Sequence, residues 1–342
     1  MDFDEKILGL SKNEILQRVG DMRQLAYVEL QERADGAAKG CRQASFRTAR
    51  GLQFDVLVDR AMDIPSLYYK GRNLVWRSPV GESHPTYYEP EGDEWERNFF
   101  GGLLTTCGLT NFGPASEEGD VFHGRISNRP AKNLSVTSEW RGEDYVLAIS
   151  GEVKQSRLHG ENLTLRRRIE TSLKEKTIRI NDRVKNDSFR QTPHKILYHI
   201  NLGYPLLDEG SKLELDSIRT RGVLSEKAKK ELDEYDEFHA PLRGFEDRVY
   251  EHKIDPSDDG YGTVKLMNPD IGDGLGLEIR FRESQLPYLI EWKYLNQGEY
   301  VLGLEPANCP FKDKNELREN GELPILEPQE AREYEVEIEV FD

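Results

Sequence analysis

Two runs, Leu163-Thr-Leu-Arg-Arg-Arg-Ile169 and Thr177-Ile-Arg-Ile-Asn-Asp-Arg-Val184, decide the fold, because in both of them apolar and polar side chains alternate. That is the period of a β-strand with one buried face. Gln53-Phe-Asp-Val-Leu-Val58, Ser135-Val-Thr and Asp144-Tyr-Val-Leu-Ala-Ile-Ser150 repeat the pattern, with turn residues between the runs. Glu333 to Phe341, introduced by Leu326-Glu-Pro328, is one more alternating strand and is expected to close the core. Long helical patterns are lacking between these runs. An all-β, large antiparallel sandwich is therefore predicted, instead of a parallel sheet with crossover helices. The clear helix is a short one near the start: Ser11-Lys-Asn-Glu14 fits a capping box, and Ile15, Leu16 and Val19 follow at helical spacing before Gly20. The expected organisation is an N-terminal helical extension over residues 1–23 and a single β-sandwich domain over 24–342.

Composition narrows the function. The chain has 342 residues, 37% of them hydrophobic and 32% charged, and no apolar stretch near the length of a bilayer span, so a soluble globular protein without a membrane partner is expected. The start, Met1-Asp-Phe-Asp-Glu, carries acids where a secretory signal carries bases, and a cytoplasmic location is the expectation. Cys41, Cys107 and Cys309 are odd in number and widely spaced, which suits reduced thiols and neither a disulfide framework nor a zinc cluster. A net charge of −16 with scattered bases opposes nucleic-acid binding. The expected ligand is a small molecule.

Tyr300-Val-Leu-Gly-Leu-Glu305 is an apolar run ending in one carboxylate, with Pro306 directly after it. As a strand it puts Glu305 on the face of Gly303, which has no side chain to block a ligand. The proline is expected to end the ladder and leave the carboxylate at a sheet rim, partly desolvated yet reachable. Taken alone, such a glutamate fits exposure or an ordinary ion pair equally well. In Lys195-Ile-Leu-Tyr-His199-Ile-Asn201-Leu-Gly203, the residues His199, Asn201 and Gly203 share one strand face, and Tyr198, Ile200 and Leu202 the other. Phe99 to Pro114 is rich in glycine and apolar residues and is followed by Phe122-His123-Gly124-Arg125. Period two would place His123 and Arg125 together as donors beside a hollow that suits a polyol. In Tyr288-Leu-Ile-Glu291-Trp-Lys293-Tyr294, Glu291 and Lys293 share a face opposite Tyr288, Ile290, Trp292 and Tyr294. Arg47, Arg50 and Arg60 could reach a ligand; spacing singles out none of them, and Arg60 is carried forward. Residues 83–98 and 222–262 read as long loops.

Other chemistries find little support. His194 and His199 are five apart and point to opposite faces of a strand, so no shared metal is implied. Gly272-Asp-Gly-Leu-Gly276 precedes a strand and reads as a hairpin turn, not a dinucleotide fingerprint. There is no Gly-x-Ser-x-Gly elbow and no phosphate loop.

In order and spacing, Phe122-His123-Gly124-Arg125, the stretch from Val184-Lys-Asn186 to Tyr198-His199-Ile-Asn-Leu202, Leu304-Glu305-Pro306 and the closing strand resemble the aldose 1-epimerase (galactose mutarotase-like) superfamily, over roughly residues 40–342. The resemblance implies an antiparallel β-supersandwich with a sugar cleft and no cofactor. It implies Glu305 as the base on the anomeric hydroxyl, His199 as the acid on the ring oxygen, and His123 as a binding residue. Arg125, Asn201, Glu291 and Arg60 complete the expected substrate-binding set. His199-Ile-Asn-Leu departs from the aromatic-Phe-Asn-Leu pattern of typical mutarotases. Arg125 lies nearer the hexose-phosphate branch, where Arg97, Arg125 and Arg129 would serve a phosphorylated sugar. The expected activity is a carbohydrate epimerase acting on a sugar or sugar phosphate, as monomer or homodimer. The alternatives are a carbohydrate-binding or sensing protein, or a lyase or hydrolase pairing Glu305 with Glu291.

Overall fold

The computed structural model describes residues 6–7, 9–91, 94–116, 119–215 and 218–342. Residues 1–5 and 8 of the expected N-terminal extension and 92–93 of the expected loop lie outside them. The strands form an antiparallel β-sandwich, as the alternating runs predict. An eight-stranded sheet holds Asn162–Ser172 and Thr177–Asn186 at its centre, and the closing strand Ala331–Phe341 pairs with the second of these. Along Thr177–Asn186 the burial alternates, with Ile178, Ile180 and Val184 buried in the core. A five-stranded sheet is built from residues 26–73 in sequence order. A six-stranded sheet carries the cleft. Its order is Ile218–Val223, Arg248–Ile254, Tyr288–Asn296, Glu299–Ala307, Lys195–Gly203, Thr105–Leu109.

The two largest sheets are tied by an ion cluster as well as by apolar contact. Arg167, from the eight-stranded sheet, bonds Asp182 at 2.9 and 2.7 Å and reaches Asp63 at 3.1 Å and the Thr106 hydroxyl at 2.9 Å. Tyr198, on the back of the strand that bears His199, donates its hydroxyl to Asp182 at 2.7 Å. Every member of this cluster is buried. Desolvation raises the Asp63 carboxyl to about 6, and the Arg167 charge opposes that rise.

Several local expectations are corrected. The helix Lys12–Leu16 has the capping box but stops before Val19. A second helix, Lys314–Glu319, starts on an Asp313 cap. The charged stretch 222–262 is not one loop, because Arg248–Ile254 within it is a strand paired with Tyr288–Asn296. Its polar residues hide the alternation: Arg248 and His252 point inward, where they meet Glu231 and Glu291. Pro306 does not end its ladder, since it pairs opposite Leu289 and the strand runs on to Ala307. Glu305 therefore stands inside the sheet and not at its rim. Phe122-His123-Gly124-Arg125 is a tight turn and not a strand, with His123 at φ 55° and Gly124 at φ 77°. A side chain at Gly124 would come within 2.2 Å of the Gly108 carbonyl, so only glycine fits there.

Candidate functional site

Two neighbouring strands bring the expected acid and base, His199 and Glu305, together. Ile200 pairs with Leu304 and Asn201 with Gly303, so the same register sets His199 directly across from Glu305. His199 Nε2 lies 3.2 Å from Glu305 Oε1, with the two residues only 4% and 2% exposed. The contact lacks hydrogen-bond alignment. Glu305 Oε1 and His199 Nδ1 are both buried polar atoms with no hydrogen-bond partner among the described residues. Native proteins seldom leave such atoms unserved without a functional reason. The carboxylate folds back over Gly303, where even a methyl group would sit 2.5 Å from Oε1.

Burial governs the electrostatics. It pushes the Glu305 carboxyl well above the usual carboxylate range. It lowers His199 to about 3, a shift that Asn201 opposes. Each group resists its charged form, so the pair holds one proton across a wide pH range. His123 is held neutral by burial, with His199 adding to the effect. The Gly113 amide donates to His123 Nδ1, which leaves the ring proton on Nε2. The His123 and His199 ring centroids are 5.6 Å apart.

These three side chains form the floor of a cleft of about 1450 Å³. Its walls are aromatic. Trp95 lies 4.5 Å from the His123 ring, Phe99 lies 4.8 Å and Trp292 5.6 Å from His199, and Trp76 meets Trp292 edge-on at 6.0 Å. The sequence places Glu291, expected to bind substrate, on the face opposite Trp292. Cross-strand pairing of Trp292 with Gly303 puts the aromatic face on the cleft side.

The other expected binding residues do not reach the cleft. Glu291 faces the opposite side of the sheet, where it meets His252 at 2.8 Å. Glu305 and Glu291 therefore cannot flank one glycosidic bond, and the paired-carboxylate reading falls. Asn201 is fully buried, and its amide donates to the carbonyls of Gly102 and His199. It bonds the backbone of the strand that bears His199 and does not line the cleft. Arg60 is fully buried too, bonding the carbonyls of Ser127, Ser83 and Asn98. Its role is to pin the loop that delivers Trp95. Arg125 points out of the far side of the His123 turn into a separate hollow of about 530 Å³, along with Arg129. Strand parity fails there because the segment is a turn. Arg97 stands at the cleft rim but is engaged by Glu94 at 2.9 Å. Arg50 donates to the Lys174 carbonyl, and neither it nor Arg47 lines the cleft. No cluster of three or more metal-ligating side chains occurs among the described residues.

A family model described as a domain of unknown function (DUF4432) matches residues 38–340. No curated protein matches the chain. Among solved structures, a "putative aldose 1-epimerase" from Klebsiella pneumoniae aligns with a TM-score of 0.85 at 23% identity, covering 92% of this chain and 83% of that one. A galactose mutarotase-like protein from Clostridium acetobutylicum aligns at 0.63 and 12% identity, covering 93% and 99%. A galactose 1-epimerase from Lactobacillus acidophilus aligns at 0.58 and 13% identity, covering 92% and 99%. At these identities the likeness is one of fold.

Proposed function

We propose that this chain, which belongs to the DUF4432 family, is a carbohydrate epimerase that opens and recloses a sugar ring at its anomeric carbon. The observation that carries the proposal is the buried His199–Glu305 contact on the floor of an aromatic cleft, with orphaned polar atoms on both partners. Ring opening needs only two proton transfers. With the pair's single proton shifted from Glu305 to His199, Glu305 takes the proton of the anomeric hydroxyl, C1=O forms, the C1–O5 bond breaks, and His199 delivers its proton to O5. Rotation about C1–C2 turns the other aldehyde face to O5. Reclosure then runs the same transfers backwards and restores both groups. Each transfer contributes on the order of 10²–10⁴-fold. His123, with its Nε2 proton, is suited to hold a sugar oxygen during rotation. A neutral sugar presents hydroxyls to these groups and apolar C–H faces to the rings of Trp95, Phe99 and Trp292.

The direct test is saturation-exchange NMR between α and β anomers across a panel of sugars and sugar phosphates. Acceleration of exchange for at least one sugar is expected. Saturable binding with no acceleration for any of them would favour a carbohydrate-binding protein.

The pH profile follows from the one-proton pair. A second proton must charge buried His199, whose pKa lies near 3, so the acid limb falls far below neutrality. Loss of the last proton must charge buried Glu305, whose pKa is raised, so activity falls only as pH climbs past it. For the free enzyme, kcat/KM should be flat from about pH 5 to neutrality, with any decline on the alkaline side. An acid limb near 6.5, where a solvated imidazole titrates, would show that His199 acts outside this pair.

A further inference from the structure

The cleft extends well past the reacting groups, and it does so along one line. On the cleft face, Gly303 pairs with Trp292 and Val301 with Tyr294, so successive cross-strand pairs lead away from Glu305 towards the hairpin at Asn296, Gln297 and Glu299. Each two-residue step along a strand advances about 6.6–6.8 Å. Trp292 and Tyr294 lie nearly parallel, with ring centroids 6.1 Å apart and planes 14° from each other. Both are only half-buried, so they present flat apolar surface to the cleft. Exposed aromatic surface of this kind on a folded protein commonly marks a binding site. The volume of about 1450 Å³ exceeds the roughly 300–1,000 Å³ of pockets that hold a drug-sized ligand, and one sugar ring is smaller still.

Charge selects against an anionic ligand. Glu96, Glu246, Asp247 and Glu299 line the cleft, against the bases Arg97 and Arg243; Arg97 is paired with Glu94 at 2.9 Å and Glu246 with Lys227 at 3.0 Å, so acids still outnumber bases along the lining. The more basic hollow, with Arg125, Arg129 and Arg190, lies on the other side of the His123 turn. A phosphate or carboxylate in the cleft would meet net negative charge.

Resting on the epimerase reading, we infer that the substrate is the reducing end of a neutral oligosaccharide of two or more rings. The reducing ring sits at Glu305, His199 and His123. The next ring packs against the half-buried rings of Trp292 and Tyr294 and reaches Asn296, Gln297 and Glu299 with its hydroxyls. This names a substrate class for the cleft and makes Tyr294 a specificity residue.

The test compares anomer exchange, as kcat/KM, for glucose, galactose, glucose 6-phosphate, lactose, cellobiose and maltotriose, in wild type and in Tyr294→Ala. Tyr294→Leu, which keeps apolar volume without the flat ring, guards against misfolding. At least one neutral di- or trisaccharide should exceed the monosaccharides about tenfold, equivalent to about 1.4 kcal/mol, and both variants should collapse that ratio. The sugar phosphate should be poorer than its neutral parent. Exchange that shows no preference for longer sugars, or that favours the phosphate, overturns the extended neutral cleft and leaves the epimerase reading standing. If no sugar exchanges at all, calorimetry decides. Maltotriose binding that is tighter than glucose binding and is lost in Tyr294→Ala keeps the extended cleft and overturns the epimerase reading, while equal or absent binding overturns the cleft.

Discussion

Glu305→Gln is expected to lower the rate of anomer exchange by about 10²–10⁴-fold while sugar affinity changes little. Glutamine keeps the shape of the side chain and its ability to hydrogen-bond, but it cannot take a proton. Glu305 is buried and is held in place by the sheet on both sides, and His199 lies 3.2 Å from it. Removing a buried carboxyl whose ionisation the protein already resists should not unfold the chain. The effect should therefore appear in kcat, with KM and calorimetric affinity nearly preserved, the mark of an interaction made in the transition state. Loss of affinity equal to the loss of rate would recast Glu305 as a binding residue. Retention of more than about a tenth of wild-type exchange would remove it from the mechanism.

The second large effect concerns stability. Arg167→Met should destabilise the fold by about 3–5 kcal/mol, because it leaves the carboxylates of Asp63 and Asp182 buried without their cation. Asp63 already has its carboxyl raised to about 6 against the pull of Arg167, and without that charge the pKa rises further. A carboxyl whose folded pKa is raised contributes stability below its unfolded pKa and loses it as pH rises through the folded value. The deficit of the variant should accordingly be larger at pH 8 than at pH 5, as read from urea midpoints at the two values. Tyr198 shares Asp182 and backs the strand of His199, so the folded variant should also lose exchange activity. A deficit under about 1 kcal/mol at both pH values would mean that apolar packing alone holds the sheets together.

Much of the architecture was legible because strand periodicity is local. Runs such as Thr177–Asn186 alternate so regularly that one face must be buried, and the structure buries it. The same rule failed at Phe122-His123-Gly124-Arg125, where a glycine permits a left-handed turn and parity no longer tells which way Arg125 points. It also failed at Arg248–Ile254, whose inward-facing Arg248 and His252 carry polarity that only their partners Glu231 and Glu291 make tolerable. On Tyr288–Asn296 the two faces were separated correctly, but Glu291 was expected at the ligand. An aromatic face looks like core in a sequence, yet here Trp292 and Tyr294 line a cleft while Glu291 is sealed beneath the sheet.

By itself the sequence determined the all-β class, the short capped helix, the closing strand, and the face on which His199 and Glu305 each stand, since all of these follow from the period of the backbone. Tertiary structure alone decided that these two residues, 106 positions apart, sit across from one another. That outcome depends on the register of two strands, which is set by the packing of the whole sheet. It likewise decided that Arg60, Asn201 and Glu291 are buried supports and that aromatic rings make the wall. A side chain's exposure depends on what the rest of the chain lays over it, and local pattern carries no record of that.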